Sequence, residues 1–226
     1  MPGQIVVITG TSGAGKTTTC QAFARRAADC YLLFGMDYLT SYVASKFTML
    51  GERASEYFYD YRKDPVDPTS ARIGFGAAGW RALEAMHEMI AAASRAGQNV
   101  VVDHLTWVDP PVLQDCIWRL KDAPVLFVAL RPSYDVLMDR LASRQVVIPP
   151  SYAELAGSAA AQAIADRLQA VTPWFYAASY ANERYDLVID TTRYTPDEVC
   201  AQIEARLAAG PGTAFADLRE SYPDPR

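Results

Sequence analysis

Short apolar runs alternate along the chain with longer segments in which apolar residues recur every three or four positions. The runs have the near-continuous apolar character of strands buried on both faces of a sheet, and the longer segments have the period of helices. The predicted strands are 5–8, 30–34, 99–103, 124–130 and 185–190, and the clearest predicted helices are 76–96, 110–121, 133–144, 159–182 and 195–207. This alternation predicts an α/β fold with a five-stranded parallel sheet that carries helices on both faces.

The segments between these elements are less regular. Residues 38–50 have mainly helical spacing, whereas 51–71 is polar, aromatic and proline-bearing and predicts a loop or a short helix. Residues 145–158 predict a loop. We expect Pro173 to interrupt the helical pattern that follows this loop, because proline lacks the amide hydrogen that a helix interior needs.

The length of 226 residues suits one domain, because a chain of this size buries roughly 70% of the surface that it exposes when unfolded. We assign residues 1–208 to this single domain, with a lid region at about 145–182. From Gly210 onward the chain is rich in glycine, proline and charge. Residues 209–226 are therefore expected to form a flexible C-terminal tail.

A glycine-rich motif follows the first predicted strand and precedes a segment with helical spacing. It reads Gly10-Thr11-Ser12-Gly13-Ala14-Gly15-Lys16-Thr17 and has the form of a phosphate-binding loop. Glycines let several backbone amides approach one triphosphate, Lys16 brings a charge to the terminal phosphates, and the Thr17 hydroxyl can bind magnesium. The structural alternative is a glycine turn capped by Ser12, but chance matches to this motif are rare. We predict that the eight motif residues and Thr18 bind ATP with Mg²⁺.

Composition and charge exclude several classes of protein. The apolar share of 50% and the charged share of 21% are ordinary for a folded domain. The net charge of -5 and the scattered lysines and arginines disfavour a nucleic-acid partner. Four cysteines lie far apart, which indicates reduced core residues. The chain starts directly with a strand, and no apolar run reaches the ~18 residues of a membrane span, so we expect a cytoplasmic protein without a membrane partner.

Candidate site residues lie at the ends of the predicted strands. Asp37 follows the second strand, Asp103 ends the third, Arg131 follows the fourth, and Thr191 and Thr192 follow the fifth. Ligands of parallel α/β sheets bind at the carboxyl ends of the strands, so we expect these residues to gather beside the phosphate-binding loop. We assign Thr192 to the nucleotide site.

Asp37 decides between a kinase and a simple nucleotide hydrolase or sensor. We expect the strand before it to neighbour the strand of the phosphate-binding loop. There, a carboxylate could accept the proton of an acceptor hydroxyl or orient that hydroxyl toward the terminal phosphate. The structural alternative is that Asp37 caps a helix that begins at Tyr38, which fits the local sequence equally well. The two roles do not exclude each other.

Asp103 has the position of a Walker-B carboxylate, which holds magnesium directly or through water. It could instead bind substrate or cap the turn that includes His104. Neither His104 nor His87 has partners at the sequence spacing of a metal site. We therefore interpret His87 as a helix residue beside the core and propose no structural metal.

Arg140 and Arg144 lie four positions apart on one face of a predicted helix, immediately before the predicted loop. This arrangement resembles the lid entrance of adenylate-kinase-like enzymes. The resemblance implies that Arg140 stacks on the adenine ring and that Arg144 reaches the transferring phosphate when the lid closes. A solvated helix face is the structural alternative, and it would be favoured if the phosphate-binding loop were absent.

Five blocks of sequence are together similar to one family of kinases. They are Gly10 to Thr17, Phe34-Gly35-Met36-Asp37 with Leu39, Arg81-Ala82-Leu83-Glu84, Ala96-Gly97 with Val100-Val101-Val102-Asp103, and Tyr185 to Thr192. From residue 5 to about 207 the chain resembles the chloramphenicol phosphotransferase-like family of small-molecule kinases. The resemblance implies a P-loop kinase fold and makes Asp37 the base for the acceptor hydroxyl. The chain departs from the family at His104, where a second aspartate is usual, and in an insertion between Arg144 and Tyr185.

Three functions remain open. The leading hypothesis is an ATP-dependent phosphotransferase that moves the γ-phosphoryl group to a hydroxyl of a small molecule, with antibiotics such as chloramphenicol among the candidates, and with Lys16, Asp37 and Arg144 in catalysis. A nucleoside or nucleotide kinase is the first alternative. It would need arginines for an acceptor phosphate, for which the candidates are Arg53, Arg62, Arg72 and Arg81. Nearby aromatic residues favour an uncharged acceptor. A non-enzymatic nucleotide-binding sensor would leave Asp37 and the arginine pair idle.

Overall fold

The computed structural model describes residues 1–48, 51–63, 71–143 and 158–225. Within these ranges the strands are β1 (Ile5–Thr9), β2 (Tyr31–Gly35), β3 (Phe58–Lys63), β4 (Ala71–Phe75), β5 (Asn99–His104), β6 (Val125–Leu130) and β7 (Leu187–Ile189). The helices are α1 (Lys16–Arg26), α2 (Met36–Ser41), α3 (Ala77–Arg95), α4 (Val112–Arg119), α5 (Tyr134–Ser143), α6 (Ser158–Ser179), α7 (Pro196–Ala208) and α8 (Ala214–Ser221). Each predicted strand corresponds to one of these strands, and the five clearest predicted helices correspond to α3 to α7.

The main sheet has five parallel strands in the order β2-β5-β1-β6-β7. The predicted five-stranded parallel sheet is therefore confirmed. Strands β1 and β6 are buried along their whole length, as continuous apolar runs require. One expectation is wrong, because β2 pairs with β5 rather than with β1. The register Ile8 to Asp103 puts Asp103, and not the end of β2, directly beside the strand of the phosphate-binding loop.

Helices cover both faces of the sheet, as predicted, because successive strand side chains point to opposite sides. Val7 and Val102 belong to one buried cluster with residues of α3, α4 and α8. Val6 and Val101 belong to the other, with residues of α1 and α7. Helix α3 ends at Arg95, two residues before the predicted stop, Gly97, which has a φ of 87°.

An antiparallel pair of strands, β3 and β4, occupies residues 58–63 and 71–75 and so enters the stretch 51–71, for which a loop or a short helix was predicted; a 3-10 turn lies in the same stretch at Ala54–Glu56. Tertiary packing stabilises it: the rings of Phe58 and Phe75 meet edge to face with centroids 4.6 Å apart. Helix α3 lies close against the start of the pair, since a Cβ on Gly79 would come within 1.9 Å of the Tyr57 carbonyl oxygen. Contacts of this kind have no signature in the local pattern, so the sequence did not predict β3 and β4. Residues 64–70 of the predicted stretch lie outside the described residues.

The helical spacing at 38–50 gives only a short helix. Helix α2 ends at Ser41, and a single 3-10 turn follows at Ser45–Phe47. The Tyr57 hydroxyl donates to the Leu39 carbonyl oxygen over 2.8 Å, which connects α2 to the residue before β3. This long-range hydrogen bond competes with continuation of the helix.

Pro173 does not interrupt the helical pattern, because it lies inside a continuous α6. Proline removes one amide donor from a helix interior. On either side of it, Val171 and Phe175 are buried in the core, with exposed fractions of 1% and 5%. We attribute the continuity of the helix to this packing, which offsets the lost hydrogen bond.

The expectation of a flexible tail at 209–226 is wrong. Residues 214–221 form α8, in which Phe215 and Leu218 are buried against the core. The start of this helix is anchored by a distant residue, since Asp186 Oδ1 accepts hydrogen bonds from the Thr213 amide at 2.7 Å and the Ala214 amide at 3.0 Å. A cap supplied from 27 residues away cannot be identified from the composition of the tail.

Replacement of Asp186 by alanine is expected to lower the free energy of unfolding by about 3 kcal/mol. The change removes the acceptor of the Thr213 and Ala214 amides and also that of the Phe127 amide, which binds Asp186 Oδ2 at 2.8 Å. Thermal melting should show a decrease of about 10 °C. The Asp186→Asn variant keeps one carbonyl oxygen and should lose about half as much. Unchanged melting of the alanine variant would contradict the anchoring role.

The four cysteines, all in the described part of the chain, are free thiols. Cys20, Cys116 and Cys200 are buried as expected, but Cys30 is exposed because it precedes β2 rather than lying within it. Among the described residues, no helix combines the length and the apolar character that a membrane crossing needs. The cytoplasmic location stays a prediction.

Candidate active site

The main sheet brings the candidate residues to one edge. Strand β1 leads into the phosphate-binding loop, β5 carries Asp103 near its end, β2 leads to Asp37, and β6 leads to Arg131. The carboxyl ends of parallel strands lie at the same side of a sheet, so these residues share that side. The catalytic and binding roles of these residues stay predictions.

The phosphate-binding loop needs glycine at its first position. Gly10 has a φ of 147°, and a Cβ there would lie 2.5 Å from the Leu130 carbonyl oxygen. Gly15, with a φ of 97°, is the N-cap residue of α1, and within the described residues no side-chain hydrogen bond caps the first amides of this helix. The first amides of a helix without such a cap attract an anion. The loop therefore has a backbone suited to a phosphate group.

Lys16, Thr17 and Asp103 converge beside this loop. The Thr17 hydroxyl donates to Asp103 Oδ2 over 2.5 Å, and Lys16 Nζ lies 3.9 Å from Asp103 Oδ1. Lys16 Nζ also donates to the Thr11 carbonyl oxygen over 3.1 Å. A hydroxyl and a carboxylate are the hard oxygen ligands that Mg²⁺ prefers, so the donor set fits the predicted magnesium site.

Asp37 is exposed and lies in the first turn of α2. The N-cap of this helix is Gly35, so the alternative that Asp37 caps a helix beginning at Tyr38 is wrong. Gly35 pairs with Asp103, and a Cβ on Gly35 would lie 3.3 Å from the Asp103 Cβ. The chain thus turns toward solvent at Asp37 immediately after it has passed Asp103.

A groove beside the loop is the candidate nucleotide site. Its lining residues are Gly13, Ala14, Gly15, Thr18, Thr19, Arg140, Thr191, Tyr194, Pro196 and Val199. Arg140 donates to the Thr191 carbonyl oxygen at 2.7 Å and to its hydroxyl at 3.2 Å. That hydroxyl donates in turn to the Ala14 carbonyl oxygen at 3.0 Å. Arg140 therefore borders the phosphate-binding loop, and its predicted contact with the adenine ring stays a prediction.

Of the two threonines after β7, Thr191 lines this groove. The Thr192 hydroxyl instead accepts a hydrogen bond from the Ser133 amide over 2.8 Å, next to the start of α5. Sequence reasoning assigned Thr192 to the nucleotide site and missed Tyr194, whereas Thr191 is the threonine that lines the groove. Arg144 lies outside the described residues, as does the predicted lid loop up to residue 157. Their roles stay predictions.

A buried histidine pair joins the end of β5 to α3. The Nε2 atoms of His87 and His104 are 2.7 Å apart, and His104 Nδ1 accepts a hydrogen bond from the Leu105 amide over 2.8 Å. His104 therefore carries its proton on Nε2 and donates it to His87, whose Nδ1 donates to Asp115 over 2.5 Å. Burial lowers the pKa of His104 well below its ordinary value, which keeps this ring neutral.

Cys116 lies close to the histidine pair, and its sulfur and the ring nitrogens come within 4.8 Å of one another. Such a set could hold a metal ion, contrary to what the sequence spacing indicated. However, the two Nε2 atoms are hydrogen-bonded to each other, and His104 cannot release its Nε2 proton while Nδ1 accepts from Leu105. We assign the cluster a structural role. Sequence reasoning missed it because 17 and 28 residues separate His87 from its two partners.

The fold is similar to that of several solved kinases. The APS kinase of Mycobacterium tuberculosis aligns over 92% of this chain and 98% of its own, with a TM-score of 0.57 and 15% identity. A sugar kinase of Janibacter sp. HTCC2649 aligns over 92% and 95%, with a TM-score of 0.55 and 18% identity. A gluconokinase of Sinorhizobium meliloti 1021 aligns over 98% of both chains, with a TM-score of 0.52 and 22% identity. At these identities the likeness establishes the P-loop kinase fold alone.

Comparison with curated protein sequences finds no match. The family model of the chloramphenicol phosphotransferase-like proteins, in contrast, matches residues 3–208. This range contains the phosphate-binding loop, Asp37, Asp103 and Arg140, and it covers the blocks on which the resemblance was based. The chain therefore belongs to the chloramphenicol phosphotransferase-like family and has the fold of a P-loop kinase.

Proposed function

We propose that this chain is an ATP-dependent phosphotransferase that moves the γ-phosphoryl group to a hydroxyl of a small, uncharged molecule. Family membership supports a small-molecule kinase. One observation carries the finer statement: Lys16, Thr17 and Asp103 converge at the sheet edge, while Asp37 is exposed at the end of β2, the strand next to Asp103. Lys16, Thr17 and Asp103 suit the binding of a phosphate and its cation. Asp37 is accessible to an acceptor molecule.

On the nucleotide side, each group has a separate task. Lys16 offsets negative charge on the terminal phosphates, and the amides at the start of α1 bind phosphate oxygens. Thr17 and Asp103 would hold Mg²⁺, which neutralises charge on the phosphates when it is bound. Arg140, which lines the groove, would contact the nucleotide, and Arg144 would reach the phosphoryl group in transfer.

On the acceptor side, Asp37 would take the proton of the hydroxyl as its oxygen attacks phosphorus. The neighbouring Tyr38 and Tyr42 are 50% and 81% exposed, and their rings stack with centroids 5.9 Å apart. Exposed aromatic faces beside a candidate base offer a stacking surface to an apolar or aromatic substrate. We therefore place hydroxylated aromatic compounds, including antibiotics such as chloramphenicol, first among the candidates.

A nucleotide acceptor receives less support, because two of the arginines considered for an acceptor phosphate are paired with carboxylates. Arg53 forms a bidentate pair with Glu56, with distances of 2.7 and 2.6 Å. Arg72 lies 3.5 Å from Asp109. A phosphate group would have to displace these carboxylates before it could bind either arginine.

Mass spectrometry tests the proposal. Purified protein is incubated with ATP, Mg²⁺ and a panel of hydroxylated metabolites, antibiotics and nucleoside monophosphates. We expect an uncharged alcohol in the panel to gain the mass of one phosphoryl group, and we expect the product to disappear when Mg²⁺ is chelated. Nucleotide binding without a product from any compound would instead support the sensor alternative.

A further inference from the structure

We propose that the hydroxyl of Tyr180 is a positioning group for the phosphate-binding loop, which it ties to the C-terminal end of α6. The inference rests on the proposed function in one respect, namely that this loop binds nucleotide. Tyr180 directly follows α6 and is far from the loop in sequence, and neither the motif nor the family resemblance indicated it. Its role would be exerted through the loop backbone and not by contact with the reacting atoms.

The Tyr180 hydroxyl is placed between two backbone groups. It accepts a hydrogen bond from the Thr11 amide over 3.3 Å and donates one to the Leu130 carbonyl oxygen over 2.6 Å. A tyrosine hydroxyl has a single proton, so this pair of bonds fixes its orientation. One side chain therefore connects the second residue of the loop motif to the end of β6.

The same two groups surround the first residue of the motif. A Cβ on Gly10 would lie 2.5 Å from the Leu130 carbonyl oxygen and 3.4 Å from the Tyr180 hydroxyl oxygen. Gly10 adopts a φ of 147° in this confined place. The Tyr180 hydroxyl and the Leu130 carbonyl thus limit the space available where the chain leaves β1 and begins the loop.

Replacement of the hydroxyl by hydrogen would leave the Thr11 amide and the Leu130 carbonyl without this partner. Thr11 is fully buried, so water has little access to its amide. A buried amide without a partner favours local rearrangement of the backbone toward another acceptor. Any such rearrangement displaces the loop from the geometry in which its amides converge on a phosphate.

The Tyr180 ring is held independently of its hydroxyl. It lies edge to face against Tyr176 with centroids 5.2 Å apart, and the Arg131 guanidinium carbon lies 5.1 Å from the ring centroid. The ring of a phenylalanine at this position would keep both contacts. Burial raises the pKa of Tyr180 to about 12, so the hydroxyl keeps its proton and remains a donor throughout the neutral range.

Tyr185 provides a matched control. Its hydroxyl also donates to a backbone carbonyl, that of Ser179, over 3.3 Å, and burial raises the pKa of this tyrosine as well. Its ring packs against Phe127 with centroids 4.9 Å apart. The Tyr180→Phe and Tyr185→Phe variants each remove one tyrosine hydroxyl from the same segment, but only the first removes a bond to the phosphate-binding loop.

The experiment measures the dissociation constant of Mg·ADP by calorimetry together with the melting temperature of each protein. We expect Tyr180→Phe to bind Mg·ADP about 10-fold more weakly than wild type. This decrease in affinity corresponds to the free energy of one neutral hydrogen bond that holds the loop in its binding conformation. Tyr185→Phe should bind like wild type although its melting temperature also falls. Equal nucleotide affinity of Tyr180→Phe and wild type, or equal weakening in both variants, would overturn the positioning role.

A second measurement needs no substitution. In nucleotide-free wild type, the Thr11 amide should exchange with solvent deuterium slowly in NMR spectra, because Tyr180 accepts its hydrogen bond. Rapid exchange in the folded protein would overturn the inference. The two proposals can fail separately: wild type that binds no Mg·ADP overturns both, whereas Mg·ADP binding without phosphotransfer refutes only the proposed function.

Discussion

Replacement of Lys16 by alanine is expected to reduce phosphoryl transfer by about 10³-fold or more while the protein stays folded. The Lys16 ammonium group contacts only polar groups in the described structure, the Thr11 carbonyl oxygen at 3.1 Å and Asp103 at 3.9 Å. In the proposed function, its loss removes the positive charge that would lie nearest to the terminal phosphates, and it leaves the hydrophobic clusters unchanged. Turnover with ATP and an identified acceptor, measured beside thermal melting, checks this prediction.

Lys46 is a suitable control for the charge itself. It is exposed and lies over the Phe47 ring, with its Nζ atom 5.4 Å from the ring centroid. The Lys46→Ala variant loses the same charge and should keep wild-type turnover. Wild-type turnover of a folded Lys16→Ala protein would contradict the assignment of the loop to phosphoryl transfer.

Replacement of Asp37 by asparagine is expected to lower acceptor phosphorylation by at least ~10²-fold with little change in ATP affinity. Asparagine keeps the size of the side chain and one carbonyl oxygen but lacks the basic carboxylate that would receive the proton of the hydroxyl. The groups proposed to bind ATP lie in the loop of residues 10–17, at Asp103 and at Arg140, and remain unchanged. Transfer rates and ATP dissociation constants of the two proteins are the quantities to compare.

A structural role for Asp37 makes a different prediction. An acidic residue in the first turn of α2 stabilises the helix through its dipole by about 0.3–1 kcal/mol, so asparagine would lower stability slightly and leave transfer unchanged. Asp217 is also an acidic residue in the first turn of a helix, α8, where it forms an ion pair with Arg184, and it serves as the control for loss of an acidic group. If Asp37→Asn and Asp217→Asn both retained full transfer, the proposed base would be refuted.

The sequence alone was sufficient for the features that depend on local pattern. Continuous apolar runs predicted all five strands of the main sheet. For β1 and β6 the reason is that a strand buried on both faces cannot alternate with polar residues. The glycine-rich motif predicted the loop, because its amides need a backbone free of side chains. The prediction of parallel strands also implied that Asp37 and Asp103 would lie at the same edge of the sheet as the phosphate-binding loop. In the structure they lie at that edge.

The tertiary structure alone decided features that depend on contacts between distant residues. It placed β5 between β1 and β2, and so put Asp103 beside Thr17, which is 86 positions away in sequence. It ordered α8 through Asp186, and it joined Tyr180 to Thr11 across 169 positions. Periodicity and composition describe which side chains are buried but not which partners they meet. The order of the strands and the support of the phosphate-binding loop therefore followed from packing between elements, which no local pattern contains.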